Sequence, residues 1–326
     1  MNPNNSIIIP FFNAAETLEG CLTALSDQID SDTEILCVDD GSTEDYSKIK
    51  SQFPNVKWLR QDNRGPAAAR NFGVRSSKGQ FILFTDSDCI PSSTWVKDMT
   101  ECLKPPSISG VKGAYKTRQR EITARFVQIE YEEKYQYMKG QIYIDFIDTY
   151  SAGYKREVFD TDFFDEGFTN ASVEDQEFSF RLCKKGHLFK FCPNAFVFHK
   201  HASSPLKYSR KKFKNGFWKT RILKKMGAQW KGDSNTPLTQ KTQMLASPLL
   251  FIEFIGSFWP MAHLIFLAGF FVFLISNLPL LRISWKHDFK IFPFVLFFTF
   301  LRSVCLDLGL IMGFLTSKTI KGNAGE

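Results

Sequence analysis

Two carboxylates spaced one residue apart follow a short apolar run in this sequence. The run occupies residues 81–84 and leads into Thr85-Asp86-Ser87-Asp88. In a strand, residues i and i+2 project to the same side, so Asp86 and Asp88 can face one divalent cation together. Open α/β sheets bind ligands just beyond such strand ends. The pair predicts a site that holds a divalent metal against a diphosphate; on the motif alone, a solvated turn is the alternative.

Two further predicted strand ends carry candidate binding groups. The first strand ends around Pro10 and Phe12, and the second ends at Asp39 and Asp40. Carboxylates do not bind a bare phosphate, but they accept hydrogen bonds from a ribose hydroxyl or a base N–H, which indicates a nucleoside. The alternative is structural, because Asp-Gly-Ser is also a good turn or helix cap.

An arginine stands one turn into the helix predicted at residues 66–76. The segment from Asn63 onward carries three consecutive alanines before Arg70, and small residues let a helix pack closely on a sheet. The planar guanidinium of arginine engages two oxygens of a diphosphate at once. The sequence contains neither a P-loop nor a GxGxxG motif. Phosphate binding is therefore predicted to depend on a metal and an arginine.

A second acidic pair, Glu174-Asp175, stands near the start of a helix predicted at residues 173–185. Carboxylates are favoured there by the helix dipole, so a helix cap is one interpretation. The other is a general base that takes the proton of an acceptor hydroxyl. Asp175 is the candidate for that base.

Histidines follow the strand predicted at residues 195–198. Together with Asp86 and Asp88, the imidazole of His199 would complete an O/N site for Mn²⁺ or Mg²⁺, and the mixed ligands favour Mn²⁺. His199 is preferred because it comes first after the apolar run. His201 remains the alternative, because alternation keeps both rings on one face.

These residues require a scaffold that gathers strand ends at one edge. Strand-like segments occur at residues 6–9, 34–38, 56–59 and 81–84. Helical patterns separate and follow them at residues 15–25, 46–51, 66–76 and 93–103. This alternation predicts an α/β fold with a doubly wound, mostly parallel, Rossmann-like sheet. Residues 117–203, with an amphipathic aromatic stretch at 126–138, are predicted to complete the same domain.

The net charge of +7 is concentrated in one segment. Residues 207–225 hold nine Lys or Arg and no acidic residue, and without them the chain is nearly neutral. Because two hydrophobic stretches follow, this segment is predicted to lie on an anionic membrane leaflet rather than on nucleic acid. A solvated helix face is the alternative.

The C-terminal region is apolar enough for a membrane. Residues 254–281 lack Asp, Glu, Lys and Arg, and a second stretch at 291–317 carries Arg302 and Asp307. If both span, they form a hairpin whose ends lie in the cytosol by the positive-inside rule, although three cations in the intervening loop argue weakly against it. An interfacial or re-entrant helix is the alternative for the second stretch.

The seven cysteines show no CxxC pair and no zinc spacing, and the N-terminal segment does not resemble a signal peptide. The cysteines are therefore predicted to be reduced thiols in a cytosolic domain. The expected organisation is a catalytic domain at residues 1–203, a basic juxtamembrane segment at 204–245 and a membrane region at 246–326.

In this order, the five motifs resemble the family-2 glycosyltransferases of GT-A fold, over residues 6 to about 216. The resemblance implies inverting transfer of a sugar from a nucleotide diphosphate, with UDP favoured, to a lipid-linked or cell-envelope glycan acceptor. It implies that Asp88, His199 and Asp86 hold the metal and that Asp175 is the base. It further implies a nucleotide-sugar site made by Pro10, Phe12, Asp39, Asp40, Asn63, Arg70, Asp86 and Ser87.

Two features set this sequence apart within the resemblance. The usual Gly-Gly-Phe-Asp stretch before the base reads Asp162-Phe163-Phe164-Asp165, so the acceptor loop is expected to differ. The Gln-x-x-Arg-Trp motif of processive synthases is absent, which favours transfer of one or a few sugars. A non-catalytic, membrane-tethered nucleotide-binding relative is the alternative; a nucleotidylyltransferase would need a glycine-rich phosphate loop that this chain lacks.

Overall fold

The computed structural model describes residues 3–167, 173–226, 234, 236–251 and 260–316. The chain forms two compact units. The first unit comprises Met1–Arg118 and Met138–Lys200, and the second comprises Gln119–Tyr137 and His201–Glu326.

The first unit is built on an eight-stranded sheet with the order β3-β2-β1-β4-β7-β6-β8-β5. The strands are β1 (Asn5–Phe11), β2 (Thr33–Asp39), β3 (Lys57–Arg60), β4 (Phe81–Thr85), β5 (Ile90–Pro91), β6 (Ile108–Lys116), β7 (Ser151–Lys155) and β8 (Leu188–Phe198). Strands β1 to β4 are mutually parallel, whereas β7 runs antiparallel to β4 and to β6. The predicted doubly wound α/β fold is confirmed, with this antiparallel strand inserted in the sheet.

Helices connect the strands of the first unit. They are α1 (Ala15–Ser26), α2 (Ser47–Gln52), α3 (Pro66–Ser76), α4 (Trp95–Leu103) and, after the segment that belongs to the second unit, α6 (Glu174–Lys184). The central strand β1 is buried along its whole length, as expected for a parallel strand covered on both faces. In α3, a Cβ on Gly73 would lie 2.4 Å from Ile8 Cγ2, so a small residue is required where this helix meets β1.

The second unit consists of helices. They are α5 (Ile122–Lys139), α7 (Pro205–Met226), α8 (Leu238–Ala246), α9 (Pro260–His287) and α10 (Val295–Thr316). Helix α9 and the segment Phe289–Thr316 are each long and apolar enough to cross a membrane, by length and composition. Parts of the predicted membrane region, residues 252–259 and 317–326, lie outside the described residues, as do residues 227–233 and 235 of the predicted juxtamembrane segment.

Helix α5 falls in a different unit from the one that the sequence suggested. Residues 117–203 were expected to complete the first domain, but the structure groups 119–137 with the C-terminal helices. The reason is the apolar face of α5, where Phe126 and Ile129 are buried in one cluster with Tyr208, Leu280 and Phe298. An amphipathic pattern shows that a helix has a buried face but does not show what covers it.

The prediction that all cysteines are reduced thiols is wrong for one pair. Cys102 of α4 and Cys192 of β8 form a disulfide across a sequence separation of 90 residues. Helix α4 packs on β8 and brings the two residues together, and no local spacing in the sequence reveals that contact. Such bonds are uncommon in a reducing cytosol.

Gly113 of β6 provides a test of the packing in the first unit. A Cβ at this position would lie 2.0 Å from the backbone oxygen of Ala195 and 2.1 Å from Ser151 Oγ. Because the oxygen of Ala195 belongs to the backbone of β8, we expect Gly113→Ala to lower the free energy of unfolding by about 1–3 kcal/mol. Thermal unfolding followed by circular dichroism measures the effect.

The matched control for Gly113→Ala is Gly20→Ala in α1. A Cβ on Gly20 meets only Ile90 Cδ1 at 4.0 Å, and alanine favours the helix. Gly20→Ala should leave the midpoint unchanged or raise it. Equal behaviour of the two variants would contradict the packing described for β6.

Candidate functional site

A cavity of about 420 Å³ opens at the carboxyl ends of β1, β2 and β4. It is lined by Pro10, Phe11, Phe12, Asp40, Asn63, Gly65, Pro66, Ala69, Arg70, Asp86, Ser87 and Asp88. Strands β2, β1 and β4 are parallel neighbours, so their carboxyl ends meet at one edge. The volume lies within the range of small-molecule sites. All but one of the nucleotide-site residues predicted from the sequence line this cavity, and the exception is Asp39.

Asp39 is fully buried and does not line the cavity. Its carboxylate accepts hydrogen bonds from the backbone N–H of Ser42 at 2.7 Å, the hydroxyl of Tyr46 at 2.9 Å and Nη1 of Arg60 at 2.6 Å. These bonds fix the turn after β2 and the position of β3. In this structure Asp39 has the turn-forming contacts that the sequence offered as the alternative.

Asp40 also binds backbone N–H groups of a neighbouring loop, and this loop lies at the edge of the cavity. Its carboxylate accepts hydrogen bonds from the backbone N–H groups of Arg64 and Gly65, both at 2.9 Å, and from Nε2 of Gln61 at 2.7 Å. Gly65 has a φ of +91°, a conformation that favours glycine. Asp40 thereby holds the loop that presents Asn63 to the cavity.

Arg70 is buried and bridges two carboxylates on different elements. Its Nη1 donates to Glu174 Oε1 at 2.9 Å, and its Nη2 donates to Asp86 Oδ1 at 3.2 Å. The guanidinium lines the cavity, but both of its terminal nitrogens are already engaged. The sequence indicated Arg70 as a diphosphate ligand and indicated for Glu174 no more than a helix-capping role. The signal that could have found Glu174 is the need of a buried arginine for a second counter-charge.

The two aspartates of the Asp-Ser-Asp motif have different surroundings. Burial raises the pKa of Asp86, and the charge of Arg70 offsets this effect only in part. The side chain of Asp88 is about half exposed, and its Oδ2 lies 3.5 Å from Nδ1 of His199. Burial raises the pKa of Asp88, but the interactions with His199, together with hydrogen bonds from the backbone of Asp88 and from Cys89, outweigh burial and leave that pKa below its ordinary value.

Asp88 and His199 belong to a compact group of metal-ligand types. Together with the buried thiol of Cys89, their ligand atoms all lie within 4.8 Å of one another. A carboxylate with an imidazole suits Mn²⁺ among the divalent ions, so the side chains present fit the predicted metal. Asp86 stands apart from this group, because its carboxylate pairs with Arg70.

Two stacked aromatic rings pack against the imidazole of His199. The ring of Tyr115 lies 4.7 Å from the imidazole at an interplanar angle of 22°, and Tyr150 stacks on Tyr115 with centroids 3.3 Å apart. Tyr115 lies near the end of β6 and Tyr150 directly precedes β7, so two strands position the imidazole.

The alternative histidine lies in the other unit. The Nε2 of His201 is 3.1 Å from Gln128 Oε1, and its ring stacks on Tyr131 with centroids 5.4 Å apart. Both partners belong to α5. His201 therefore has a structural environment within the second unit, whereas His199 faces Asp88 in the first.

Asp175 lies in the first turn of α6, and its Oδ1 accepts a hydrogen bond from the backbone N–H of Gln176 at 2.8 Å. Burial raises the pKa of Asp175 well above its ordinary value, and the negative charges of Glu174 and Asp148 raise it further. Asp148 in turn pairs with the buried ammonium of Lys112. A carboxyl group with a raised pKa binds a proton more readily, which is what a general base requires.

The predicted acceptor loop, which contains Phe164 and Glu166, is hydrogen-bonded to α3. The side-chain amide of Asn71 donates to the backbone oxygen of Phe164 at 2.8 Å and accepts from its N–H at 3.0 Å. Glu166 accepts hydrogen bonds from Arg64 at 2.7 Å and from Asn71 at 3.0 Å. Helix α3 and the loop before it therefore hold residues of the acceptor loop as well as lining the cavity.

The family comparison agrees with this geometry. Residues 6–163 match the family model described as Glycosyl transferase family 2. The matched segment includes the strand ends that form the cavity and Arg70, and it stops before Asp175 and His199.

Two curated relatives illustrate the similarity. Glycosyltransferase AglE of Haloferax volcanii is 38% identical over 102 residues, which cover 29% of this chain and 34% of that protein. Chondroitin synthase of Escherichia coli is 26% identical over 234 residues, which cover 60% of this chain and 34% of that protein. The chain thus spans about a third of the length of these two relatives.

A solved structure resembles the whole chain. Mannosyltransferase PcManGT from Pyrobaculum calidifontis, in complex with GDP-Man and Mn²⁺, superposes with a TM-score of 0.62 and covers 98% of this chain and 88% of its own. Its sequence identity is 14%, so the likeness concerns the fold.

The ring stack behind His199 yields a prediction about metal affinity. Tyr115→Leu removes the ring on which the imidazole rests, and we expect Mn²⁺ binding to weaken about tenfold, as is usual when a residue that orients a metal ligand is lost. Tyr115→Phe keeps the ring and should bind Mn²⁺ like the parent. Titration followed by electron paramagnetic resonance measures both, and equal affinities of the leucine and phenylalanine variants would show that the stack does not orient His199.

Proposed function

Because this chain carries a glycosyl transferase family 2 domain with the GT-A fold, we propose that it transfers a sugar from a nucleoside diphosphate to a hydroxyl group with inversion of configuration. One observation carries the proposal. The guanidinium of Arg70 joins Asp86, at the strand end beside Asp88, to Glu174, which precedes Asp175 in the first turn of α6. The candidate donor site and the candidate base are thereby built into one polar network of the first unit.

The donor occupies the cavity at the strand ends in this proposal. Pro10, Phe12, Asn63 and Ser87 line the space for the nucleoside, and Asp86 accepts a hydrogen bond from the ribose. Asp39 and Asp40 act there by shaping the turns around the nucleotide, as their hydrogen bonds indicate. Asp88 and His199 hold the divalent ion, with Mn²⁺ favoured over Mg²⁺. When bound, that ion neutralises negative charge on the departing diphosphate.

Asp175 takes the proton of the acceptor hydroxyl as its oxygen attacks the anomeric carbon. Its raised pKa supports this role, because a base needs a proton affinity close to the working pH. Arg70 supplies a fixed positive charge beside the leaving diphosphate even though carboxylates engage its nitrogens. A single base and a single displacement give inversion at the anomeric carbon.

The solved mannosyltransferase bears on the identity of the donor, and the apolar and basic helices of the chain bear on that of the acceptor. A UDP-sugar is the favoured donor, and the solved mannosyltransferase with GDP-Man makes a GDP-sugar the first competitor. Two apolar helices and the basic helix α7 support a lipid-linked or cell-envelope glycan acceptor at a membrane. Transfer of one or a few sugars is proposed, with the catalytic unit on the cytoplasmic side according to the concentration of Lys and Arg in residues 207–225.

Release of nucleoside diphosphate tests the reaction class. The purified full chain is incubated with Mn²⁺, a panel of UDP- and GDP-sugars and a membrane lipid extract. Turnover that requires both a nucleotide sugar and the extract is the expected result. Nucleotide binding by calorimetry without turnover on any donor would instead identify a non-catalytic relative and overturn the proposal.

If Asp175 is the base, replacing its carboxylate should slow the reaction. Asp175→Asn removes the proton acceptor and keeps the shape, so we expect kcat to fall by about 10²–10⁴-fold while donor affinity stays within a few-fold. Asp160→Asn, which changes an exposed aspartate of the same unit, is the control and should retain full activity. A kcat for Asp175→Asn close to that of the control would exclude Asp175 as the base.

The raised pKa of Asp175 predicts the acid side of the pH profile. The base works only when deprotonated, so kcat/KM falls tenfold per pH unit below that pKa and levels off above it. Because burial and the charges of Glu174 and Asp148 raise the pKa, the midpoint should lie above the ordinary aspartate value of about 3.9. Circular dichroism over the same range checks that the protein remains folded; a midpoint at or below 3.9 would contradict the environment described for Asp175.

A further inference from the structure

Helices α9 and α10 expose apolar side chains that need a cover. Leu264, Phe271 and Ile275 of α9 are each about 60% exposed, and Leu308, Ile311 and Leu315 of α10 are at least half exposed. Soluble monomers rarely expose such a surface. The end of α9 carries Trp285, Lys286 and His287, residue types that suit a membrane–water interface. We therefore take the hydrocarbon of a lipid bilayer to be what covers this apolar surface.

The chain cannot place α5 across that bilayer. Five residues lead from Lys139, where α5 ends, to Ile144, which pairs with Phe189 of β8. Six lead from Lys116, at the end of β6, to Ile122. At about 3.5 Å per residue these connections reach at most ~18 and ~21 Å, less than the ~30 Å of a hydrocarbon core. Both ends of α5 therefore stay on the same side of the bilayer.

Helix α5 contacts α10 and the connection that precedes it. Arg125 forms a two-pronged ion pair with Asp288, which directly follows α9, with Nε and Oδ2 2.7 Å apart. One residue further along α5, the ring of Phe126 stacks on Phe298 at 4.8 Å, and one turn later Glu130 binds Arg302 Nη1 at 2.8 Å. These two contacts, one turn apart on both helices, hold the first turns of α10 against α5.

Helix α7 pairs with the rest of α10 in the same direction. A Cβ on Gly216 would lie 2.3 Å from the backbone oxygen of Leu306, and one on Gly313 would lie 2.1 Å from Thr220 Oγ1, so the two backbones approach closely. The opposite face of α7 exposes four cations, Lys207, Arg210, Lys211 and Lys214. If α10 crossed a bilayer, these cations would stand at the depth of the hydrocarbon, at about 2.5–3.5 kcal/mol each.

Helix α9 is also held to α5 through its flanking elements. The helix before it, α8, donates a hydrogen bond from Thr239 Oγ1 to Glu133 of α5 at 2.7 Å. Gln243 of the same helix donates to the backbone oxygen of Ser276 in α9 at 3.0 Å. Asp288, directly after α9, binds Arg125 of α5. Helix α8, before α9, and Asp288, directly after it, are therefore both bound to a helix that cannot cross.

We propose that α9 and α10 enter one leaflet from a single side and that neither crosses the membrane. The two charges that the sequence places in the second apolar stretch then need no lipid exposure, because Arg302 pairs with Glu130 and Asp307 accepts from Ser247 Oγ at 2.8 Å. The cations at the C-terminal end of α9 and Lys290 in the connection to α10 then lie on the same side as those of α7, which removes their conflict with the positive-inside rule. The inference rests on the membrane association in the proposed function and not on its chemistry.

Cysteine labelling in sealed membrane vesicles tests the topology. Lys290→Cys marks the α9–α10 connection, Lys214→Cys marks the exposed face of α7, and Lys50→Cys in α2 marks the first unit; all three positions are exposed. A membrane-impermeant maleimide is applied to vesicles of each orientation, and labelling of the unsubstituted protein is subtracted. We expect all three variants to gain label from the same side and in the same vesicle orientation.

Two results would overturn the inference. Labelling of Lys290→Cys only from the side opposite Lys50→Cys would establish the hairpin that crosses twice. Protection of Lys214→Cys from the reagent in both orientations, with recovery of labelling in detergent, would place α7 within the bilayer.

Fractionation of cells lysed without detergent separates this inference from the proposed function. Recovery of the full chain in the membrane pellet is expected. A soluble protein that elutes as a dimer would show that a second copy covers the apolar surface, and would overturn both the membrane association and the topology. A membrane-bound protein with the expected labelling but no sugar transfer would overturn the proposed chemistry and leave the topology standing.

Discussion

Arg70 carries a positive charge into the interior of the first unit, and two carboxylates from distant parts of the chain compensate it there. Moving an ion out of water costs several kcal/mol even after relaxation, and removing one partner of a buried pair commonly costs 3–5 kcal/mol. Asp86 at the end of β4 and Glu174 at the start of α6 are therefore required together. The consequence is geometric: the strand end with the metal-ligand group and the helix with Asp175 share one anchor.

Helix α3 connects two loops of the site in a similar way, the loop that contains Phe164 and Glu166 and the loop that contains Arg64. Its Asn71 binds both backbone groups of Phe164, while Glu166 binds Arg64 in the loop that Asp40 fixes. A shift of the loop that contains Phe164 and Glu166 would break hydrogen bonds to residues that also hold the wall of the cavity. This loop and the cavity wall are therefore braced against each other, which suits the proposed reaction because that reaction needs two substrates aligned.

The sequence was informative where chemistry depends on local spacing. Asp86 and Asp88 could be placed at a strand end from an apolar run, and the small residues of α3 correctly predicted its close packing on β1. The sequence did not reveal pairs of residues that come into contact only because the chain folds. Glu174 lies 104 residues from Arg70, and no pattern along the chain connects them. The stack of Tyr115 and Tyr150 on His199 depends on neighbouring strands β6 and β7, and neither strand was predicted.

Helix α5 has its covalent neighbours in one unit and its apolar partners in the other. A shortened protein that ends at residue 200 would keep α5 between β6 and β7 but would lack Tyr208 and Phe298, which cover its apolar face. The bare face would then drive aggregation. The two units are consequently not modules that recombination could exchange at one boundary, and any gene fusion that supplies this protein with a different membrane anchor must replace α5 as well.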